Sequence, residues 1–438
     1  MATAARVQLT TREQPVFSLS HFNTAEKAKT ASELLQMNHE EYHMFFNSKG
    51  FHNHIAHHLL TVYALAASPE EIQQHFKSNQ SYQRPLGSYD EGAVTKMQDP
   101  AEFVKLLGDG RQYKNFLHFF KGEIDNMGWQ AAVNRYVFSD DELAKKMLPL
   151  VFAGFLHPLI HLGFGIEFEQ PAIIAEALAQ TAIHSDWIAG FFALAEQAAK
   201  NKRSISSKSM AELIDEIHND EEILDAPHWS DDNRIRDGIM ARVGERMISY
   251  TSQYHVKSEE LEEKTAEMIN AAAYFTGGAQ RERHAVRFDF FYMHCVNSSI
   301  FYTSFLKQKW LSDANKVRLL EWKVWNDIAT YASMKSPKIH LDEIRNYKPK
   351  QPSDWDKVIE RVRALDDDGH ASKLIRALAH GQQACAPYEH KPAFRLKKDD
   401  WLQLAHMAID SVQADGPNWV RSAGFDEAWE PIPLRSQL

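Results

Sequence analysis

The sequence predicts a mainly α protein, a single large helical domain with a buried histidine-rich centre, and three observations carry that prediction. Helix-start signals recur along the chain, hairpin dipeptides between alternating apolar runs are almost absent, and many histidines lie inside apolar helical stretches. The 438 residues include 49 Lys and Arg against 59 Asp and Glu, a net charge of −10, which disfavours a nucleic-acid partner. With 44% hydrophobic and 25% charged residues, the composition is that of a globular chain with a large core, and disorder is excluded.

The elements follow in chain order. Residues 1–24 are polar and lack the apolar core of a secretory signal. In Ser68-Pro69-Glu70-Glu71 a serine accepts from orphan amides, proline sits where no amide is needed, and Glu71 completes a capping box, so a helix starts there. Ser139-Asp140-Asp141-Glu142 repeats the box. Met147 to Phe168 is the longest greasy stretch, but Pro149, His157, Pro158, His161 and Glu167 interrupt it, which fits a buried helix pair rather than a bilayer span. Pro171 opens the next helix, and Ser312-Asp313 opens one in which Val317, Leu320, Val324 and Ile328 recur at spacings of three and four. Val286 to Phe305 reads as a buried helix in competition with a strand. No linker or repeat divides the chain, so one domain over 1–438 is expected, with a proline-marked loop excursion at 335–354.

Chemistry is first bounded by absences. The two cysteines, Cys295 and Cys385, make neither a disulfide framework nor a C-x-x-C pair, and a reducing, cytoplasmic setting is expected. Gly163-Phe164-Gly165 has Phe168 where a dinucleotide turn needs its third glycine, and no phosphate loop or G-x-S-x-G elbow occurs. That leaves side chains or a metal. Histidine supplies the candidates: 22 in 438 residues, about one in twenty, where a borderline metal such as Fe(II) or Zn(II) uses buried imidazole best. His54 and His58 are an i, i+4 pair in Phe51-His52-Asn53-His54-Ile55-Ala56-His57-His58, with His52 and His57 pointing elsewhere. His157 and His161 repeat the spacing, His294 lies in an aromatic run, and His370 shares a helical face with Lys373. The bland reading of each pair is core histidines satisfied by carbonyls. Beside metal ligands an ammonium is out of place unless burial frees the amine to capture CO2 as an anionic carbamate; otherwise Lys373 is a surface lysine.

Asn53-His54-Ile55-Ala56-His57-His58-Leu59-Leu60, His157-Pro158-Leu159-Ile160-His161-Leu162-Gly163, the run around His294 and Gly369-His370-Ala371-Ser372-Lys373-Leu374 resemble the questin oxidase-like family of fungal secondary metabolism, in order over nearly the whole chain. The resemblance implies an oxygenase that opens the central ring of a hydroxylated anthraquinone to a benzophenone acid, an outcome described as Baeyer-Villiger oxidation. It also implies non-haem Fe(II) held by His54, His157, His294, His370 and a carbamate on Lys373. His58 and His161 are then the acid and base beside the metal, although each also competes with its partner for the ligand position. The aromatics Phe291 and Tyr292 are candidate walls of a slot for a flat aromatic polyketide, and O2 is the co-substrate, with NADPH as a candidate reductant. The alternatives are an NADPH-dependent Baeyer-Villiger oxygenase without a metal and a non-catalytic binding protein for aromatic polyketides. Charge and composition point to neither a nucleic-acid nor a membrane partner.

Overall fold

The computed structural model describes residues 1–19, 23–201 and 206–435. Among the described residues it holds twenty-one α-helices and one parallel pair of two-residue strands, Phe288–Asp289 and Trp419–Val420. The chain is mainly α, and it divides into two compact units.

The first unit comprises Met1–Ala189, Lys307–Ser312 and Arg363–Lys373. Its helices are α1 (Ala25–Glu41), α2 (Ile55–Ala64), α3 (Pro69–Gln80), α4 (Glu91–Lys96), α5 (Pro100–Leu106), α6 (Tyr113–Met127), α7 (Trp129–Val133), α8 (Glu142–Val151), α9 (Ala153–Glu167) and α10 (Pro171–Ala182). Central α10 is buried on every face from Ala172 to Ala182, because α6 and α9 both pack on it. A Cβ on Gly165 would stand 2.7 Å from Ile174 Cγ1, so this glycine exists for close helix approach and not for a phosphate turn. The Ser68 capping box is present. At the second predicted box the cap is Asp141, which accepts from the Ala144 amide, while the Ser139 hydroxyl turns back to the Arg135 carbonyl. Helices α8 and α9 form the expected buried pair, bent by 99°; no single helix among the described residues is long and apolar enough to cross a membrane.

The second unit comprises Gly190–Leu306, Asp313–Val362 and Leu374–Leu438. Its helices are α11 (Ala189–Lys200), α12 (Met210–His218), α13 (Glu221–Asp225), α14 (Ala241–Thr251), α15 (Leu261–Gly278), α16 (Phe290–Leu306), α17 (Asp313–Ser333), α18 (Leu341–Arg345), α19 (Trp355–Arg363), α20 (His370–Cys385) and α21 (Lys398–Val412). Helix α20 starts in the first unit. Helix α15, with small residues Ala271 to Ala273, packs on α16. The helix predicted from Val286 begins only at Phe290. Its start is fixed by the Asp289 carboxylate, which accepts from the Phe291 and Tyr292 amides at 2.7 and 3.0 Å and from those of Ser422 and Ala423 at 2.7 and 2.8 Å. The 335–354 segment lies within this unit and carries α18.

Candidate functional site

Three of the histidines singled out from sequence, His54, His157 and His370, meet in the first unit with ligand-capable nitrogens within 4.8 Å of one another, all buried. Each stands at a helix start. His54 is the N-cap of α2, with φ −99° and ψ 0°, and Asn53 braces it by accepting from the Ile55 amide at 2.9 Å and donating to Asn38 Oδ1 at 2.7 Å. His157 follows three residues in the left-handed region, Gly154, Phe155 and Leu156, at φ 53°, 54° and 67°. The two non-glycine residues carry strain on the order of 1–2 kcal/mol each. This turn delivers the Gly154 carbonyl to His157 Nδ1 at 2.6 Å, and Pro158 then sits where a first-turn amide is dispensable. His370 opens α20 after Gly369, whose φ is 88°.

The partners on the far side of each ring assign the tautomers. Gly154 O can only accept, so His157 carries its proton on Nδ1 and presents Nε2. His370 Nδ1 donates to Asp368 Oδ1 at 2.5 Å, and His54 Nδ1 faces Asp368 Oδ2 at 3.4 Å. Both then present Nε2. His54 Nε2 and His157 Nε2 stand 2.9 Å apart, two lone pairs that repel unless a proton or cation lies between them. Burial pushes the His54 imidazolium down to about 3, helped by Lys373 and His370 and opposed by Asp368, so the ring is neutral at physiological pH. A divalent cation is the species that this donor set fits.

Lys373 lies one turn into α20, 3% exposed, and its Nζ is buried without a hydrogen-bond partner. Burial lowers its ammonium from 10.5 to about 8, against the pull of Asp368 and Asp367. The surface alternative for this lysine is thereby removed. Asp367 is pushed up to about 7 by burial and by the adjacent Asp368, although it accepts from the Gly369 and Ala371 amides at 2.9 Å each. Asp368 keeps 42% of its side chain accessible. Burial acts against its charge, but His370 and His54 hold it well below the carboxylate range, so the negative charge of the pair resides on Asp368.

A second layer of imidazoles backs the triad. Glu176, which burial would raise, is held down at about 2 by His161 and His39, whose rings stand 2.7 and 2.6 Å from its two oxygens. His161 Nδ1 meets His57 Nε2 at 3.0 Å, so both nitrogens of His161 are engaged and neither is left for a metal. His57, expected to point elsewhere, has its ring centroid 6.0 Å from His54 and 6.1 Å from His157. An i, i+3 pair shares a helical face as an i, i+4 pair does, so the spacing itself brings His57 to the side of His54. His58 Nδ1 accepts from Asn79 at 3.2 Å and its Nε2 lies 3.8 Å from Asp367. His52 stacks on His157 at 3.9 Å and meets His184 Nε2 at 2.9 Å.

His294 belongs to the second unit, on α16, where its Nδ1 donates to the Phe290 carbonyl at 2.6 Å. Tyr292 is buried there, with its hydroxyl on the Tyr331 carbonyl at 3.1 Å and its ring edge-on to Phe275, and the Phe291 amide is tied to Asp289. Sequence reasoning missed Asp367, Asp368, Glu176, His39 and His184. Only Asp367 and Asp368 left a signal, a carboxylate pair just ahead of His370 that reads as a polar loop.

A family model described as questin oxidase-like matches residues 51–378, a span that includes His54, His157, His294, His370 and Lys373. The chain is 41% identical over 442 residues to the Baeyer-Villiger oxidase ptaJ of Pestalotiopsis fici, covering 99% of each. It is 36% identical over 445 residues to a questin oxidase of Aspergillus fumigatus, covering 99% of this chain and all of that one. It is 36% identical over 441 residues to a questin oxidase of Aspergillus terreus, covering 99% and 98%.

Proposed function

The chain belongs to the questin oxidase-like family, and from that premise we propose that it is an oxygenase opening the central ring of a hydroxylated anthraquinone to a benzophenone carboxylic acid, with non-haem Fe(II) as its metal. The observation that carries the metal is the convergence of His54, His157 and His370 with their Nδ1 protons anchored outward. Those three imidazoles would hold the ion, and Lys373, as a carbamate, would add an anionic oxygen. A lysine amine that is neutral in part at physiological pH and has no hydrogen-bond partner suits this: the amine adds CO2 and releases a proton. For His294 a ligand role rests on the family resemblance alone, and the metal content of His294→Ala tests it.

When bound, the ion supplies dioxygen activation in a water-poor site. The protein's own part is orientation and proton handling. Asp368 and Gly154 O keep the ligand rings in one tautomer. Glu176 accepts the His161 Nε2 proton, so His161 Nδ1 accepts from His57 Nε2. His57 Nδ1, buried without a partner, is then left as an acceptor near the triad. We assign it to hold the hydroxyl proton of the substrate, with His161 acting through it.

Stoichiometry decides between this reading and the NADPH-dependent one that the word Baeyer-Villiger in a relative's name favours. An anthrahydroquinone plus O2 has the composition of the ring-opened hydroxybenzophenone acid, and no external reductant is needed. The quinone needs O2, NADPH and a proton for the same product, with one incorporated oxygen coming from water. Protein loaded anaerobically with Fe(II) is expected to turn over the reduced substrate without NADPH and to place both atoms of ¹⁸O2 in the acid. Full turnover by metal-free protein, with one NADPH consumed per product, overturns the proposal. Unchanged substrate under every condition supports the carrier alternative instead.

A further inference from the structure

The two adjacent carboxylates before His370 divide their work. Asp367 caps α20 through the Gly369 and Ala371 amides, while Asp368 turns the other way and addresses two imidazoles at once, His370 through Oδ1 and His54 through Oδ2. These rings come from different elements, the start of α20 and the cap of α2. An ionised carboxylate has no proton to give. Any ring nitrogen facing it must therefore be N–H, and the opposite nitrogen must be the lone pair. One side chain thus selects the tautomer of two of the three converging histidines.

We propose that Asp368 is a positioning residue for the metal site, a shared orienting group that makes His54 and His370 present Nε2 together. The proposal deepens the metal reading above and rests on it. It predicts more than a loss of negative charge near a cation. In Asp368→Ala the 42% accessible position admits water, which can accept from both rings. In Asp368→Asn one end of the side chain is a carbonyl oxygen, but the other is an amide donor. Whichever way the amide turns, one of the two rings faces a donor at Nδ1. That ring must carry its proton on Nε2 and is disabled as a ligand. The nearly isosteric substitution should therefore be worse than the truncation, whereas a role through charge alone ranks the two together, and a packing role ranks Asn above Ala.

The test is Fe(II) affinity, measured anaerobically by competition with a chromophoric chelator, for the wild type and for Asp368→Glu, Asp368→Ala and Asp368→Asn. Loss of a group that orients a ligand weakens metal binding about 10- to 100-fold, which is the expectation for Ala. Asn should bind more weakly again, by a factor of about three or more, and Glu, which keeps two acceptors, should recover part of the loss. The visible spectrum of the Co(II)-loaded protein should change in Asn and be largely restored in Glu. Urea midpoints of the metal-free proteins show whether each variant folds, and Ala and Glu decide the matter if Asn does not: with Ala weakened and Glu no better, the proposal fails. Asn binding as tightly as Ala or more tightly overturns it, as does an equal loss in all three. A wild type that takes up no Fe(II) overturns the metal reading itself, and this inference with it.

Discussion

Lys373 shows why burial rather than identity decides what a residue does here. An ammonium whose pKa falls from 10.5 to about 8 because it is buried leaves the folded protein holding fewer protons than the unfolded chain between those values. Stability must therefore rise with pH from about 8 to 10.5. In metal-free, CO2-depleted protein the rise should be on the order of 3 kcal/mol, and Lys373→Met should abolish it. Urea midpoints across that range read the difference, and identical slopes for the two proteins would mean that the amine is solvated. The neighbouring imidazoles follow the same rule: His57 and His58 are pushed well below the ordinary histidine range by burial, then by His161 and His75 respectively. Neutral rings serve as ligands and acceptors, so the burial that opposes charge also prepares the site.

At the scale of elements, the three converging histidines all stand at helix starts, where the backbone turns a side chain sharply out of the helical register. Such ends carry positive partial charge, which opposes a cation, and the Asp368 carboxylate offsets it. The starts are built by glycine where no other residue fits. A Cβ on Gly369 would stand 2.6 Å from His58 Cγ, at a φ of 88°. Gly369→Ala should therefore cost about 2–4 kcal/mol and weaken metal uptake by displacing His370, as chemical denaturation and metal analysis would show. Gly154 is equally constrained, since its Cβ would meet His184 Nε2 at 2.5 Å. In the second unit the start of α16 depends on Asp289, which burial raises from 3.8 to about 6 despite four amide donors. Because the folded state binds this proton more tightly, the contribution is full below about pH 3.8 and is lost as pH rises through 6. Asp289→Asn should flatten the decline in stability from pH 4 to 6, and a slope unchanged by the substitution would assign the decline to another group.

For the whole molecule, a metal bound only by the folded state should stabilise it by RT ln(1 + [L]/Kd), about 2.7 kcal/mol at one hundred times Kd. Chelation should lower the thermal midpoint by several degrees and readdition of Fe(II) should restore it, whereas midpoints that ignore the metal would remove it from the folded site. The helical class was legible in the sequence because caps and 3.6-residue periodicity are local, and Ser68, Pro171 and Asp313 act within one turn of themselves. His54, His157 and His370 were legible as candidates because imidazole in apolar surroundings is anomalous wherever it occurs. The sequence could not separate His157 from His161, since both share a spacing and an apolar environment. The distinction came from a carbonyl three residues back in a strained turn and a carboxylate on another helix, Gly154 O for one and Glu176 for the other. Residue type and local surroundings were enough to name the groups able to do chemistry. Their tautomers and neighbours came from the fold, because a left-handed turn, a packed neighbouring helix and the approach of Asp368 to His54 bring the deciding oxygens to the rings, and none of these leaves a periodic trace in the chain.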